Sequence, residues 1–295
     1  MAMVEMARVE PLEDVTDLLG SPDALKAKAE DEGLLFFRGL LDPDKVGALR
    51  SQILAVCGAH GWIKEGTSPD EAIVDQNAMV VESRDPRWEA FYNDLQKMRD
   101  FHALALDPAI LGALEVLFGE SVLPHSRNIC RVVFPNSAAH STPPHQDNMY
   151  IGGSEQTWTV WIPCGDIPVS LGGLAVGKGT HKQGKLEDRK AVGAGGRQVD
   201  VADETVWVSG DYACGDVFFL HSLTVHQGRD NLSGDRLRVS CDFRYQPRSH
   251  SVRADSMEPH MGWLTWEDVY EGWEEDDSVK YYWKGWELEI FERES

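Results

Sequence analysis

The sequence predicts a mainly β fold, a sandwich or jelly-roll barrel with helices packed on its outside. After about residue 124, short segments rich in β-formers follow one another, punctuated by Gly, Pro, Asn and Asp. Long helices do not alternate with these segments, which argues against a doubly wound parallel sheet. The helical patterns are concentrated instead in the first third of the chain.

Each predicted element has a local cause. Ser21-Pro22 starts a helix that runs to about Glu32, and Gly33 closes it. Leu34-Leu35-Phe36-Phe37 reads as a short buried strand. Asp42-Pro43 opens a second helix whose Val46, Leu49, Ile53 and Cys57 fall on one face. Trp88, Phe91, Tyr92 and Leu95 give another helical stripe, and Asp107-Pro108 opens one carrying Ile110, Leu111, Leu114 and Leu117. Strands are expected at 128–134, 157–162, 174–176, 205–208, 217–220 and 236–245. In the last segment Thr265 and Asp268 form a capping pair for a short helix, and Trp263, Trp266, Tyr270, Trp273, Tyr281, Tyr282, Trp283 and Trp286 are expected to pack back on the barrel. No linker or internal repeat divides the chain. Residues 1–295 are expected to form one domain, with a mostly helical flank at 1–123, the jelly-roll core at 124–250 and an aromatic, acidic segment at 251–295.

Composition narrows the function. The 295 residues carry a formal charge of −21, and residues 255–295 hold 13 acids against 3 bases. Such a surface repels phosphate backbones and anionic membranes, so neither nucleic acid nor a membrane is an expected partner. No apolar run approaching membrane-spanning length and no signal-peptide start stand out. The five cysteines (Cys57, Cys130, Cys164, Cys214 and Cys241) are scattered and odd in number, which points to a reducing, cytoplasmic setting rather than a disulfide framework. Asn231-Leu232-Ser233 reads as a turn, and Gly177-Lys178-Gly179-Thr180 lacks the spacing of a phosphate loop.

The chemistry is concentrated in Pro143-Pro144-His145-Gln146-Asp147. On a strand, residues i and i+2 share a face, so His145 and Asp147 would project side by side. An imidazole and a carboxylate suit a divalent metal, and a second imidazole would complete a facial triad with open positions. His226 is the candidate, in a segment that reads as a Gly215-Asp216 turn, a buried strand from Val217 to Leu220 and a polar break carrying the histidine. Beyond it the chain alternates with period two. Leu237, Val239, Cys241, Phe243 and Tyr245 lie on one face; Arg236, Arg238, Ser240, Asp242 and Arg244 lie on the other. If the apolar face packs under the helices, an arginine of the polar face can grip a carboxylate inside the barrel. Strand parity does not choose between Arg236 and Arg238.

These motifs, taken with Gly33-Leu34-Leu35-Phe36-Phe37-Arg38-Gly39, Thr157-Trp158-Thr159-Val160-Trp161-Ile162-Pro163, Leu171-Gly172-Gly173-Leu174-Ala175-Val176, Gly179-Thr180-His181 and Arg238-Val239-Ser240, resemble the phytanoyl-CoA dioxygenase family of Fe(II)- and 2-oxoglutarate-dependent oxygenases. The resemblance covers most of the chain. It implies a double-stranded β-helix, with His145, Asp147 and His226 as catalytic iron ligands and Arg238 as the 2-oxoglutarate anchor. Arg238 stands one residue further from His226 than is usual in the family, and Gly234 is read as lengthening the turn. Trp161 is similar to an aromatic that flanks the cosubstrate in relatives. The implied cofactors are Fe(II), 2-oxoglutarate and O₂, acting on a small organic molecule. The carboxylate of Asp147 favours hydroxylation over halogenation, because related halogenases lack it. Two other readings were weighed: a cupin-like metalloenzyme that uses no 2-oxoglutarate, and a non-catalytic small-molecule-binding barrel.

Overall fold

A computed structural model describes residues 8–78, 85–136 and 141–292 of the chain; the two ends of the expected 1–295 domain lie outside them. Helices α1 (Pro22–Glu32), α2 (Pro43–Ala59), α3 (Pro86–Gln96), α4 (Arg99–Leu104) and α5 (Pro108–Phe118) occupy the first third. Three of them share one starting device: Asp42, Asp85 and Asp107 each accept a hydrogen bond from the backbone N–H two residues on, and a proline follows each. The carboxylate satisfies a donor that the helix leaves orphaned, and proline at the next position has no N–H to lose. Gly33 and Gly119 close α1 and α5 in the left-handed conformation.

Residues 99–118 together are apolar enough, with mean hydropathy 1.6, to pass a length-and-composition test for a membrane span, which sequence reading had not singled out. Here the run is broken at 105–107 into α4 and α5, and Phe101, Leu104, Ile110 and Leu114 are buried in the core.

The strands are β1 (Arg8–Glu10), β2 (Leu34–Phe37), β3 (Val122–Pro124), β4 (Ile129–Val133), β5 (Trp158–Pro163), β6 (Gly173–Gly177), β7 (Asp188–Lys190), β8 (Arg197–Val199), β9 (Val206–Val208), β10 (Val217–His221), β11 (His226–Arg229), β12 (Arg238–Pro247), β13 (Val252–Arg253) and β14 (Ile290–Phe291). A major sheet runs β2-β10-β5-β12-β3, with β4 also paired to β12, and a minor sheet runs β1-β9-β6-β11. This is the jelly-roll expected from the sequence.

The major sheet is buried on both faces, and residue parity decides which core each side chain joins. Phe37, Val160, Ile162, Phe219, Val239, Cys241 and Phe243 pack under the helices, with Ile53, Phe91 and Leu114. Phe36, Trp161, Phe218 and Leu220 face the minor sheet, with Leu174, Val176 and Val208. The polar residues of β12 therefore line the barrel interior, as the alternation predicted. The C-terminal aromatics form a third cluster around Leu123, with Trp266, Tyr270 and Trp283 at its centre, and Thr265 and Asp268 make the expected capping box.

One boundary and one hairpin differ from expectation. β12 starts at Arg238 rather than Arg236, because Asn231 and Ser233 hold the carbonyl of Arg236 in a turn. The hairpin of β7 and β8 was not anticipated; its strands are three residues long and exposed in part, too short for a periodic signal.

Gly33 fixes the contact between α1 and the barrel. Its carbonyl accepts from the N–H of His221 and from the hydroxyl of Thr224, and its φ is 68°. A Cβ there would lie 2.2 Å from His181 Nδ1 and 2.6 Å from Thr224 Oγ1. Gly33→Ala is therefore expected to destabilise the protein by about 1–3 kcal/mol, read as a drop in the midpoint of thermal or urea unfolding. A variant as stable as the parent would refute this account of Gly33.

Candidate metal centre

His145 and His226 are brought together by the backbone. The N–H of each donates to the carbonyl of the other at 3.0 Å, an isolated antiparallel bridge on the free edge of β11. Gly228 N–H donates to Thr142 O and Val199 N–H to Pro144 O, so the segment Thr142–His145 is clamped between β11 and β8. Directly opposed residues of an antiparallel pair present their side chains on one face. The two imidazoles accordingly lie 4.1 Å apart, centroid to centroid.

Asp147 joins them by a different route from the one expected. The segment does not continue as a strand: Asp147 is already in helical conformation and caps the short helix α6 (Asn148–Ile151). The change of direction still brings Asp147 Oδ1 to 3.5 Å from His145 Nε2 and 3.9 Å from His226 Nε2. The candidate ligand atoms of the three residues lie within 4.8 Å of one another, and all three residues are buried. His226 likewise opens a strand, β11, rather than standing in a polar break.

Backbone carbonyls set the ring orientations. His145 Nδ1 donates to Pro143 O at 2.8 Å and His226 Nδ1 to Thr224 O at 3.1 Å. With Nδ1 protonated, each Nε2 lone pair faces Asp147, the arrangement a divalent metal requires. Burial, and after it the neighbouring His145, pushes the pKa of His226 down to about 4, so this imidazole is neutral at physiological pH. For Asp147, burial alone would raise the pKa; the charge of Arg244 and contacts with His145 and His226 outweigh it and hold the carboxyl well below the usual value. A carboxylate flanked by two imidazole lone pairs is a donor set for a borderline metal such as Fe(II).

Three side chains that sequence reasoning did not assign hold this arrangement in place. Arg244 Nη2 lies 3.2 Å from Asp147 Oδ2, and the hydroxyl of Thr159 donates to the same oxygen, leaving Oδ1 turned to the histidines. Gln146 points the other way: its Nε2 donates to Gly184 O and Leu223 O, and its Oε1 accepts from Leu186 N–H. Strand parity could have found two of them, since Arg244 shares the face of Arg238 on β12 and Thr159 that of Trp161 on β5. Nothing local marks Gln146.

Two spaces meet at the triad. One is a chamber of about 710 Å³, open on one side, reaching from His145 and Asp147 to Trp88, Tyr92 and Met261. The other is a narrow cleft that runs from His145, Asp147 and His226 past Thr159 to Trp161 and Arg238. Arg238 is buried, with Nη1 donating to Gly173 O at 3.0 Å. Trp161 Nε1–H is buried without a hydrogen-bond partner among the described residues. Arg236 is exposed in the turn before β12 and lines neither space.

In class, this chain is a non-haem iron, 2-oxoglutarate-dependent oxygenase. Within that class it belongs to the phytanoyl-CoA dioxygenase family, whose model matches residues 29–239. It is 30% identical over 261 residues to a 1-deoxypentalenic acid 11-beta-hydroxylase from Streptomyces arenae, an alignment covering 83% of this chain and 88% of that protein. The fold matches the alpha-ketoglutarate-dependent carbocyclase SnoK from nogalamycin biosynthesis with a TM-score of 0.56 at 24% identity, over 82% of this chain and 91% of that one. It also matches the epimerase SnoN, whose structure was solved with Fe3+, alpha ketoglutarate and nogalamycin RO, with a TM-score of 0.56 at 20% identity, over 79% and 86%.

The pairing of Asp147 with Arg244 has a measurable consequence. Removing the carboxylate by Asp147→Ala leaves the Arg244 guanidinium buried beside no counter-charge, and metal-free protein should lose about 3–5 kcal/mol of stability. Adding Arg244→Met to that variant should recover most of the loss in urea unfolding. Equal stability of the two variants would rule the ion pair out as the cause.

Proposed function

We propose that His145, Asp147 and His226 hold one Fe(II), that Arg238 and Trp161 hold 2-oxoglutarate in the cleft beyond His226, and that the large chamber takes a small, mainly apolar organic molecule for hydroxylation. The observation that carries this reading is the convergence of two backbone-oriented Nε2 atoms and one carboxylate at the junction of the two spaces.

The residues fit the groups assigned to them. The donor set suits Fe(II) and leaves coordination positions on the chamber and cleft sides. The cleft supplies a buried guanidinium fork for a distal carboxylate and an indole N–H that has no hydrogen-bond partner among the described residues. The cupin-like alternative gives these two donors no purpose. When bound, iron and 2-oxoglutarate supply the oxidising power that places an oxygen atom from O₂ into a C–H bond. Arg244 and Thr159 keep Asp147 ionised and fixed on one oxygen, so that the carboxylate occupies a metal position that would otherwise be open to an anion. Burial of all three side chains sets the metal position inside the barrel, where a substrate filling the open chamber would displace water from the reacting atoms. The apolar wall of the chamber aligns a C–H bond by shape rather than by chemistry, and a relative named as a hydroxylase of a small organic acid supports the same outcome.

Fe(II) and 2-oxoglutarate added under argon should give the weak visible charge-transfer band of the chelate, and His226→Ala should abolish it. A folded protein that gives no band would overturn the metal assignment. Arg238→Ala should weaken 2-oxoglutarate binding by about two orders of magnitude with Fe(II) affinity unchanged, whereas Arg236→Ala should leave both intact. Titration of the band measures each, and a strong effect at Arg236 alone would reverse the assignment of the anchor.

A further inference from the structure

The chamber is cationic although the protein is strongly anionic. Five arginines line it, against the carboxylates of Asp147 and Asp255. Four of the five are committed to acids: Arg131 to Asp242, Arg197 to Asp188, Arg244 to Asp147 and Arg253 to Asp255. Arg127 is the exception. It sits just before β4, in the segment that bulges between the pairings of β12 with β3 and with β4. Its side chain makes one hydrogen bond, from Nη1 to the backbone carbonyl of Asp255 at 3.0 Å, and no carboxylate lies within ion-pair distance of it among the described residues. Both oxygens of Asp255 are engaged by Arg253, so Asp255 acts on Arg127 through its charge and its backbone carbonyl and not through an ion pair.

A half-buried guanidinium without a direct ion-pair partner is costly, and an arriving anion recovers that cost. Burial, aided by the charges of Arg244 and Arg253, holds the pKa of Arg127 below the ordinary arginine value against the pull of Asp255 and Tyr92. Around it the chamber is apolar and aromatic, with Trp88, Tyr92, Met149, Tyr150, Ile151 and Met261 on its wall. His260, half-buried on the same wall, shares a hydrogen bond with the Tyr92 hydroxyl through Nδ1, and desolvation together with the charges of Arg127, Arg244 and Arg131 holds its pKa well below the usual value, so it adds no positive charge. One planar fork without an ion-pair partner on an apolar wall is a recognition element for one carboxylate on an apolar body.

We propose that the substrate is an apolar monocarboxylic acid and that Arg127 binds its carboxylate, orienting the carbon skeleton toward the triad. This deepens the oxygenase reading above and rests on it. Arg127 is a specificity residue: it holds the end of the substrate that does not react, so its loss should act on substrate binding and leave the metal and cosubstrate site alone.

The test uses the full chain loaded with Fe(II) and 2-oxoglutarate under argon, so that nothing turns over. Fused-ring and linear apolar monocarboxylic acids, 1-deoxypentalenic acid among them, are titrated by calorimetry beside their primary amides. At least one acid should bind about tenfold or more tighter than its amide, and Arg127→Gln should remove that difference while the chelate band stays as in the parent. Arg127→Lys, which keeps the charge, should retain part of it. The proposal is overturned if no acid binds, if acids and amides bind alike, or if the preference survives in Arg127→Gln. Absence of the chelate band in the parent protein would instead overturn the underlying oxygenase assignment, so the two failures are told apart in one experiment.

Discussion

One pair of backbone hydrogen bonds, exchanged between His145 and His226, is the constraint on which the rest of the site depends. A protein has few ways to hold two side chains from distant parts of the chain at a fixed spacing, and an antiparallel bridge is among the stiffest of them. Most of the nearby structure serves to keep that bridge in register. On one side Thr224 is tied to Gly33, and the N–H of Val225 donates to Thr180. On the other, Gln146 ties the motif to the loop before β7, and the hairpin covers the edge that the bridge would otherwise expose.

This explains why so much of the outer architecture was legible from sequence and why the inner site was legible only in outline. Helices α2 and α5 announce themselves through Asp-Pro starts and α1 through Ser21-Pro22 and Gly33, which are local chemistry, whereas α4 has no such signal and was not expected. β12 announces its two faces through ten residues of unbroken alternation, and the faces it assigns are the ones observed. By contrast, β11 reads His226-Gln227-Gly228-Arg229, a sequence with no strand signal, and is a strand only because β6 lies beside it. His145 and Asp147 were expected to share a strand face; they meet through a turn into α6 instead. The spacing pointed to the right neighbours for the wrong geometric reason.

The same contrast applies to the residues that support the ligands. Arg238 and Arg236 are equivalent by parity, and a turn fixed by Asn231 separates them by leaving one outside the sheet. Arg244 belongs to the polar face of its strand, and its acidic partner, Asp147, comes from a different segment of the chain. Charge pairing inside a jelly roll is decided by which strands oppose one another, and that information is distributed over the whole chain.

The opposite signs of surface and chamber bear on how anions reach the site. The surface carries most of a formal charge of −21, while the walls that would receive a dicarboxylate and an acidic substrate present guanidiniums. At low ionic strength the outer field slows an approaching anion, and salt relieves that repulsion over a Debye length of about 8–10 Å. Once inside, the anion is shielded from mobile ions, so added salt weakens its contacts far less. For an anionic substrate, entry would then quicken with ionic strength while residence time barely changed, the reverse of the behaviour of enzymes that steer their ligands electrostatically.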